Sequence, residues 1–171
     1  MNTSNSGRLM RTLAFGSAAT LAAAVALAGK PPDCWMTGGG SIYDQDNAVD
    51  YTGRTTHGFE LHCDARSPNN LQINWSGNSF HLTSLDSAIC IDDPAINPLP
   101  RYAEFDTFIG IGTGRLNNES GYMIYFQFTD AGEGGINDDA WITIQDGDGN
   151  AVLDIRGNLT FGNHQAHTNG Y

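Results

Sequence analysis

Thr55-Thr56-His57-Gly58-Phe59-Glu60-Leu61-His62-Cys63-Asp64 alternates with a period of two. His57, Phe59, Leu61 and Cys63 share one face, while Thr56, Gly58, Glu60 and His62 share the other. Successive side chains of a strand point to opposite faces, so this is a half-buried strand with Phe59 and Leu61 marking its inner side. Cys63 then points inward, where a thiol in an exported chain meets a second cysteine. One strand thus fixes a sheet face, one end of a covalent tie and the positions of two of the five histidines.

The same period recurs on both sides of it. Leu71, Ile73 and Trp75 alternate with Gln72 and Asn74, and after the Gly77-Asn78 turn residues 80–83 read as a further strand. Phe105, Thr107, Ile109, Ile111 and Thr113 alternate with Asp106, Phe108, Gly110 and Gly112. Residues 122–128 are apolar on both faces, which predicts an interior strand of a closed or sandwiched sheet. Residues 141–144 and 151–155 flank the hairpin loop Asp146-Gly147-Asp148-Gly149-Asn150, and Leu159-Thr160-Phe161 closes the pattern. Upstream, residues 35–42 form a short strand interrupted by Gly38-Gly39-Gly40. Residues 84–100 hold Pro94, Pro98 and Pro100, which excludes an interior strand there. About eight strands with Gly, Asn and Asp turns make an all-β domain, a single antiparallel β-sandwich or β-barrel.

Residues 1–28 read as a signal peptide. Arg8 and Arg11 precede an Ala/Leu/Val-rich run, and Ala26-Leu27-Ala28 gives a small-x-small cleavage site. The run is too short and alanine-rich for a membrane span. A single secreted β domain then covers residues 29–171, placed outside the cell, in the periplasm or at the cell envelope, with no membrane insertion of the mature chain. The formal net charge is −11, and removal of two arginines makes the mature chain more acidic still. Such a surface repels nucleic acid and suits solubility and divalent cations.

Three cysteines remain, and an oxidising compartment pairs two of them. Cys63 with Cys90 ties two candidate strands, and a loop of that length contributes roughly 3 kcal/mol. Cys34 is then free, with pairing to Cys90 or to a second chain as its alternatives.

Several blocks of the mature chain resemble, in order, the secreted bacterial β-domains known as post-COAP domains. They are Met36-Thr37-Gly38-Gly39-Gly40, Gly112-Thr113-Gly114, Phe128-Thr129-Asp130-Ala131-Gly132-Glu133, Asn137-Asp138 and Gly162-Asn163-His164-Gln165-Ala166-His167. A narrower subgroup is similar through residues 56–63. Gly134-Gly135 departs from the pattern, which usually has a proline after the glutamate. The resemblance implies an all-β module, found alone or at the ends of larger exported proteins, and implies no activity.

Each candidate site has a plain structural alternative. His57, His62, His164 and His167 are the ligand types that transition metals take, but three or four must converge on one point. His57 and His62 fall on opposite faces of a regular strand, as do His164 and His167. The structural alternative makes His57 a buried, hydrogen-bonded histidine and His62 a surface one. Asp146, Asp148 and Asn150 have the spacing of a calcium loop, but Ala151 and Gly157 stand where an EF-hand needs Gly and Glu. Asp130, Glu133, Asn137, Asp138 and Asp139 gather hard oxygen ligands on a glycine-rich segment and form the better calcium candidate, with a solvated turn as the alternative. No G-x-S-x-G elbow, H-E-x-x-H helix or phosphate-binding loop is present. Glu60 and His62 share a face without a nucleophile beside them.

The expected function is therefore a non-enzymatic structural, adhesive or matrix module, with self-association or a cell-surface partner. Histidine-based metal binding, or carbohydrate binding through Trp35, Trp75, Tyr122, Tyr125 and Trp141, are the rivals. The glycine-rich ends predict one more contact. Residues 37–42 should lie beside residues 159–162, with His164 and His167 at the mouth of the closure.

Overall fold

In the computed structural model the described residues are 33–43, 53–96, 100–101, 103–132 and 134–169. The leader at 1–28 and Glu133 lie outside them. Nine strands follow in order: β1 Cys34–Tyr43, β2 Arg54–His62, β3 Asn70–Trp75, β4 Asn78–Ile91, β5 Thr107–Leu116, β6 Glu119–Thr129, β7 Asp139–Gln145, β8 Ala151–Asn158 and β9 Phe161–Thr168. They form one antiparallel sheet in the order β8-β7-β6-β5-β4-β3-β2-β1-β9. Seven strands, β1 to β7, pair with the next in sequence, and β9 returns to the far edge beside β1.

That return dictates the curl. Only Leu159 and Thr160 separate β8 from β9, and so short a link spans about 10 Å at most. The two edge strands therefore approach one another at this corner. The Leu159 N–H donates to Asp138 O at 2.9 Å and the Thr160 N–H to Ser41 O at 2.8 Å, so the link touches both ends of the sheet. The expected pairing of the chain ends is present, with Ser41 opposite Phe161 and Gly40 opposite Gly162.

The concave side is filled by side chains, with Met36, Leu61, Leu71, Ile73, Phe80, Phe108, Phe126 and Phe128 wholly buried. The period-two reading of residues 55–61 holds, because Thr55, His57, Phe59 and Leu61 are buried and their neighbours are not. Cys63 and Cys90 are bridged, which ties the end of β2 to the end of β4.

Four expectations change. β4 runs through Ile91 in the sheet interior, although residues 84–100 were expected to be irregular. Its prolines all lie beyond Ile91 and so end the strand rather than prevent it. Two register shifts, at Leu82/Ser84 and Leu85/Ser87, keep β4 paired with β5. β1 is continuous through its three glycines. The last strand is not residues 159–161 but β9, which carries both histidines. His164 is accordingly buried within the sheet rather than at its mouth.

The fourth change concerns β5 and β6. Ile111 and Met123 point outward and are about half exposed, so neither strand is covered on both sides. The inner face of β5 instead presents Phe108, Gly110, Gly112, Gly114 and Leu116. A Cβ at Gly110 would collide with the Phe126 ring, and one at Gly114 with the Phe80 ring. These glycines leave room for two aromatic rings that reach over the inner face of the strand, and the aliphatic side chains take the outer face.

Candidate functional site

Strand β1 has two faces, and each organises a cluster. On the inner face Gly40 lies opposite His57 of β2, and Gly38 lies opposite His164 of β9. A Cβ on Gly38 would sit 3.0 Å from the His164 ring. With hydrogen there instead, the two imidazoles reach each other across β1, their Nε2 atoms 2.7 Å apart.

The proton positions follow from the partners. His164 Nδ1 lies 3.0 Å from the Thr129 carbonyl, which can only accept, so Nδ1 carries the proton. In a neutral ring Nε2 of His164 is then a bare acceptor, and His57 Nε2–H donates to it. His57 Nδ1 is left as an unprotonated acceptor, with no hydrogen-bond partner among the described residues. An unpaired acceptor is what remains when every N–H of the pair has been satisfied. Burial lowers both pKa values. His57 is held well below its usual value, first by desolvation and then by the neighbouring His164. His164 is lowered to about 4 by desolvation, which the Thr129 carbonyl only partly offsets. Both rings are thus neutral near neutral pH.

An aromatic wall encloses them. His57 stacks on Phe128 at 5.1 Å, and His164 meets Phe59 edge-on at 5.2 Å. Phe59 and Phe128 stack on each other at 4.4 Å.

The acidic loop is built into the same closure. Asp138 Oδ2 accepts the His164 N–H at 2.7 Å, and its Oδ1 accepts the Ala131 N–H at 2.9 Å. Asp130 Oδ2 accepts the Ala166 N–H at 2.8 Å, and its Oδ1 the Gly132 N–H at 3.1 Å. Two carboxylates thereby occupy donors on the outer edge of β9, where a neighbouring strand would otherwise bind. Desolvation raises Asp138 to about 6, against the lowering effect of its two amide partners. Asp139 turns away to Arg156 at 3.6 Å, and Asn137 is exposed. Among the described residues the loop carboxylates do not converge on one point. In the hairpin loop, Asp146 accepts from the Asn150 backbone and side-chain amides and from the Asp148 N–H, which lowers its pKa.

On the outer face Trp35 lies opposite His62 of β2 and His167 of β9, forming one row across three strands. Trp35 stacks on His167 at 5.0 Å and 16°, and His167 Nε2 is 3.1 Å from Thr37 Oγ1. His62 Nδ1–H donates to Pro68 O at 2.8 Å. The four histidines therefore separate into an inner pair and an outer pair, with Trp35 between the outer two. A concavity of about 710 Å³ opens on this side, lined by Trp35, Glu60, His62 and the segment after β2. Of the other aromatics named from the sequence, Trp75 is buried and the remaining three are half-buried.

Sequence reasoning missed the meeting of His57 with His164 and the amide-binding role of Asp130 and Asp138. The available signal for the first was the small residue at alternate positions of β1. Comparison with known proteins found no matching family model, no matching curated protein and no matching solved structure.

Proposed function

We propose that the chain is a secreted, non-enzymatic β-module with a structural or adhesive role at the cell envelope or outside the cell, and that its sheet is a barrel rather than a sandwich. One observation carries this reading: the buried reactive side chains are spent on holding strands together. His57 and His164 join β2 to β9, Asp130 and Asp138 bind the edge of β9, and Cys63–Cys90 ties β2 to β4. Asp106, also buried, accepts the Asp93 N–H and the hydroxyl of Thr107, the first residue of β5. The two-residue link between the sheet edges supports the barrel. A disulfide fits an oxidising compartment. The exposed Ile89, Ile91, Ile111 and Met123 on the outer side of β4 to β6 supply apolar surface for a partner or a second copy.

Metal analysis of the purified chain, without added metal, tests the structural reading. We expect no stoichiometric zinc or copper, because the two inner Nε2 atoms already share a proton at 2.7 Å. Zinc or copper at one equivalent, lost on replacing His57 or His164, would replace the structural reading with a metal-binding one. Calcium alone would leave it standing.

A further inference from the structure

The concavity beside Trp35 has the chemistry of a ligand site, and the strand-holding role of the interior does not use it. We propose that it binds a saccharide, with the Trp35 indole as the stacking plate for a pyranose ring.

The plate is held in place before any ligand arrives. His167 covers part of Trp35 as a parallel ring, and Thr37 holds His167 in turn. Fixing an aromatic side chain in advance removes an ordering cost that binding would otherwise bear. The polar rim carries hydrogen bonds of its own, tightest in the loop around Asn69 and loosest at the exposed Arg66. Arg66 grips Asp64 through two bonds, Nε to Oδ1 at 3.0 Å and Nη2 to Oδ2 at 2.9 Å. Asn69 organises the loop between them and β3, donating to Ala65 O and Ser67 O and accepting the His62 N–H. His62 is oriented by its Nδ1–H bond to Pro68 O.

The ligand class follows from what the rim offers. Asp64 and Arg66 offset each other, while Asp33 and Glu60 leave the concavity acidic, which disfavours anionic ligands. Glu60 is exposed on the same face, one row from Trp35, and its carboxylate can accept from two neighbouring hydroxyls. Arg66 and the Asn169 side chain supply donors. A pyranose has an apolar face of C–H groups for the indole and a rim of hydroxyls that both donate and accept. Apolar lining with a few oriented polar groups is the general form of a small-molecule site. The cavity is large enough for one or two sugar rings.

Nuclear magnetic resonance titration of the purified chain with methyl glycosides of glucose, galactose, mannose and N-acetylglucosamine, and with cellobiose, tests this. At least one should shift the Trp35 indole N–H with a Kd of about 1 mM, leaving those of Trp75 and Trp141 in place. Trp35→Ala should weaken that saccharide about tenfold or more, and Glu60→Gln, at an exposed position, should weaken it severalfold with an unchanged melting curve. The proposal is overturned if none of these sugars shifts the indole in the folded chain. Binding that survives Trp35→Ala, or tetramethylammonium binding at Trp35 where the sugars do not, would overturn it equally. Metal content tests the structural reading separately, so the two can fail independently.

Discussion

Asp138→Ala should be among the most damaging single substitutions in the chain, costing about 3–5 kcal/mol in chemical denaturation. The carboxylate is fully buried and accepts two backbone N–H groups, from His164 on β9 and from Ala131 in the loop before β7. Charge-assisted bonds of this kind contribute roughly 1.5–3 kcal/mol each, and truncation leaves both donors buried without acceptors. The damage should be local first. Hydrogen exchange at the His164 amide should accelerate more than at the amides of β3, because the edge of β9 loses its partner while the interior ladders stay intact. Asp138→Asn should fall between, since its amide oxygen can replace only one of the two acceptors. A variant as stable as the parent would mean that the loop does not hold β9.

The second large effect is a dependence on pH, and its sign comes from the direction of the histidine shifts. In the unfolded chain an imidazole takes up a proton near pH 6.5, whereas folded His164 resists until about 4. Between those values the unfolded state binds more protons, so stability falls as pH falls from 6.5 toward 4, and no further loss comes from this group below that. For His164 alone the loss is on the order of 3 kcal/mol. His57 acts in the same sense. Asp138 acts in the opposite one. Its folded value, raised from 3.8 to about 6, makes the folded state take up a proton first, and so stabilises it across that window. Asp106, raised by burial, adds to that opposition. Comparison of the parent with His164→Phe largely cancels the carboxyl contributions. The phenylalanine should cost stability at neutral pH, where Thr129 O and His57 lose their partner. Relative to the parent it should then regain on the order of 3 kcal/mol between pH 6.5 and 4. A difference between the two proteins that stays constant over that range would show that His164 is not held neutral by burial.

Much of the fold was legible because strand residues report their own face. The alternation through Phe59 and Leu61 gave the inner side of β2, and with it the direction of Cys63 toward Cys90. The glycine-rich ends pointed to each other because two exposed edges are a hazard that pairing removes. What failed depended on register across several strands. His57 and His164 meet only because both β2 and β9 pair with β1, at positions 107 residues apart in the chain. Faces could be assigned to each histidine, but not the row each would occupy. β5 misled for a different reason: Ile109 and Ile111 look like a core face until Phe126 and Phe80 claim the space over the glycines. The strand-holding contacts of the acidic loop were not legible either. Asp130 and Asp138 are typical calcium ligands by residue type, and nothing local to residues 130–139 shows that β9 will lay its amides against them.

The central claim is that the buried histidines hold strands together as a neutral, hydrogen-bonded pair. Long-range nitrogen–proton correlation spectra of the imidazoles, recorded at neutral pH, test it most directly. We predict two neutral rings of opposite tautomer, His164 protonated at Nδ1 and His57 at Nε2, with spectra unchanged by a chelator. Two rings of the same tautomer, a protonated ring, or a pattern that collapses when a chelator strips a metal would contradict it.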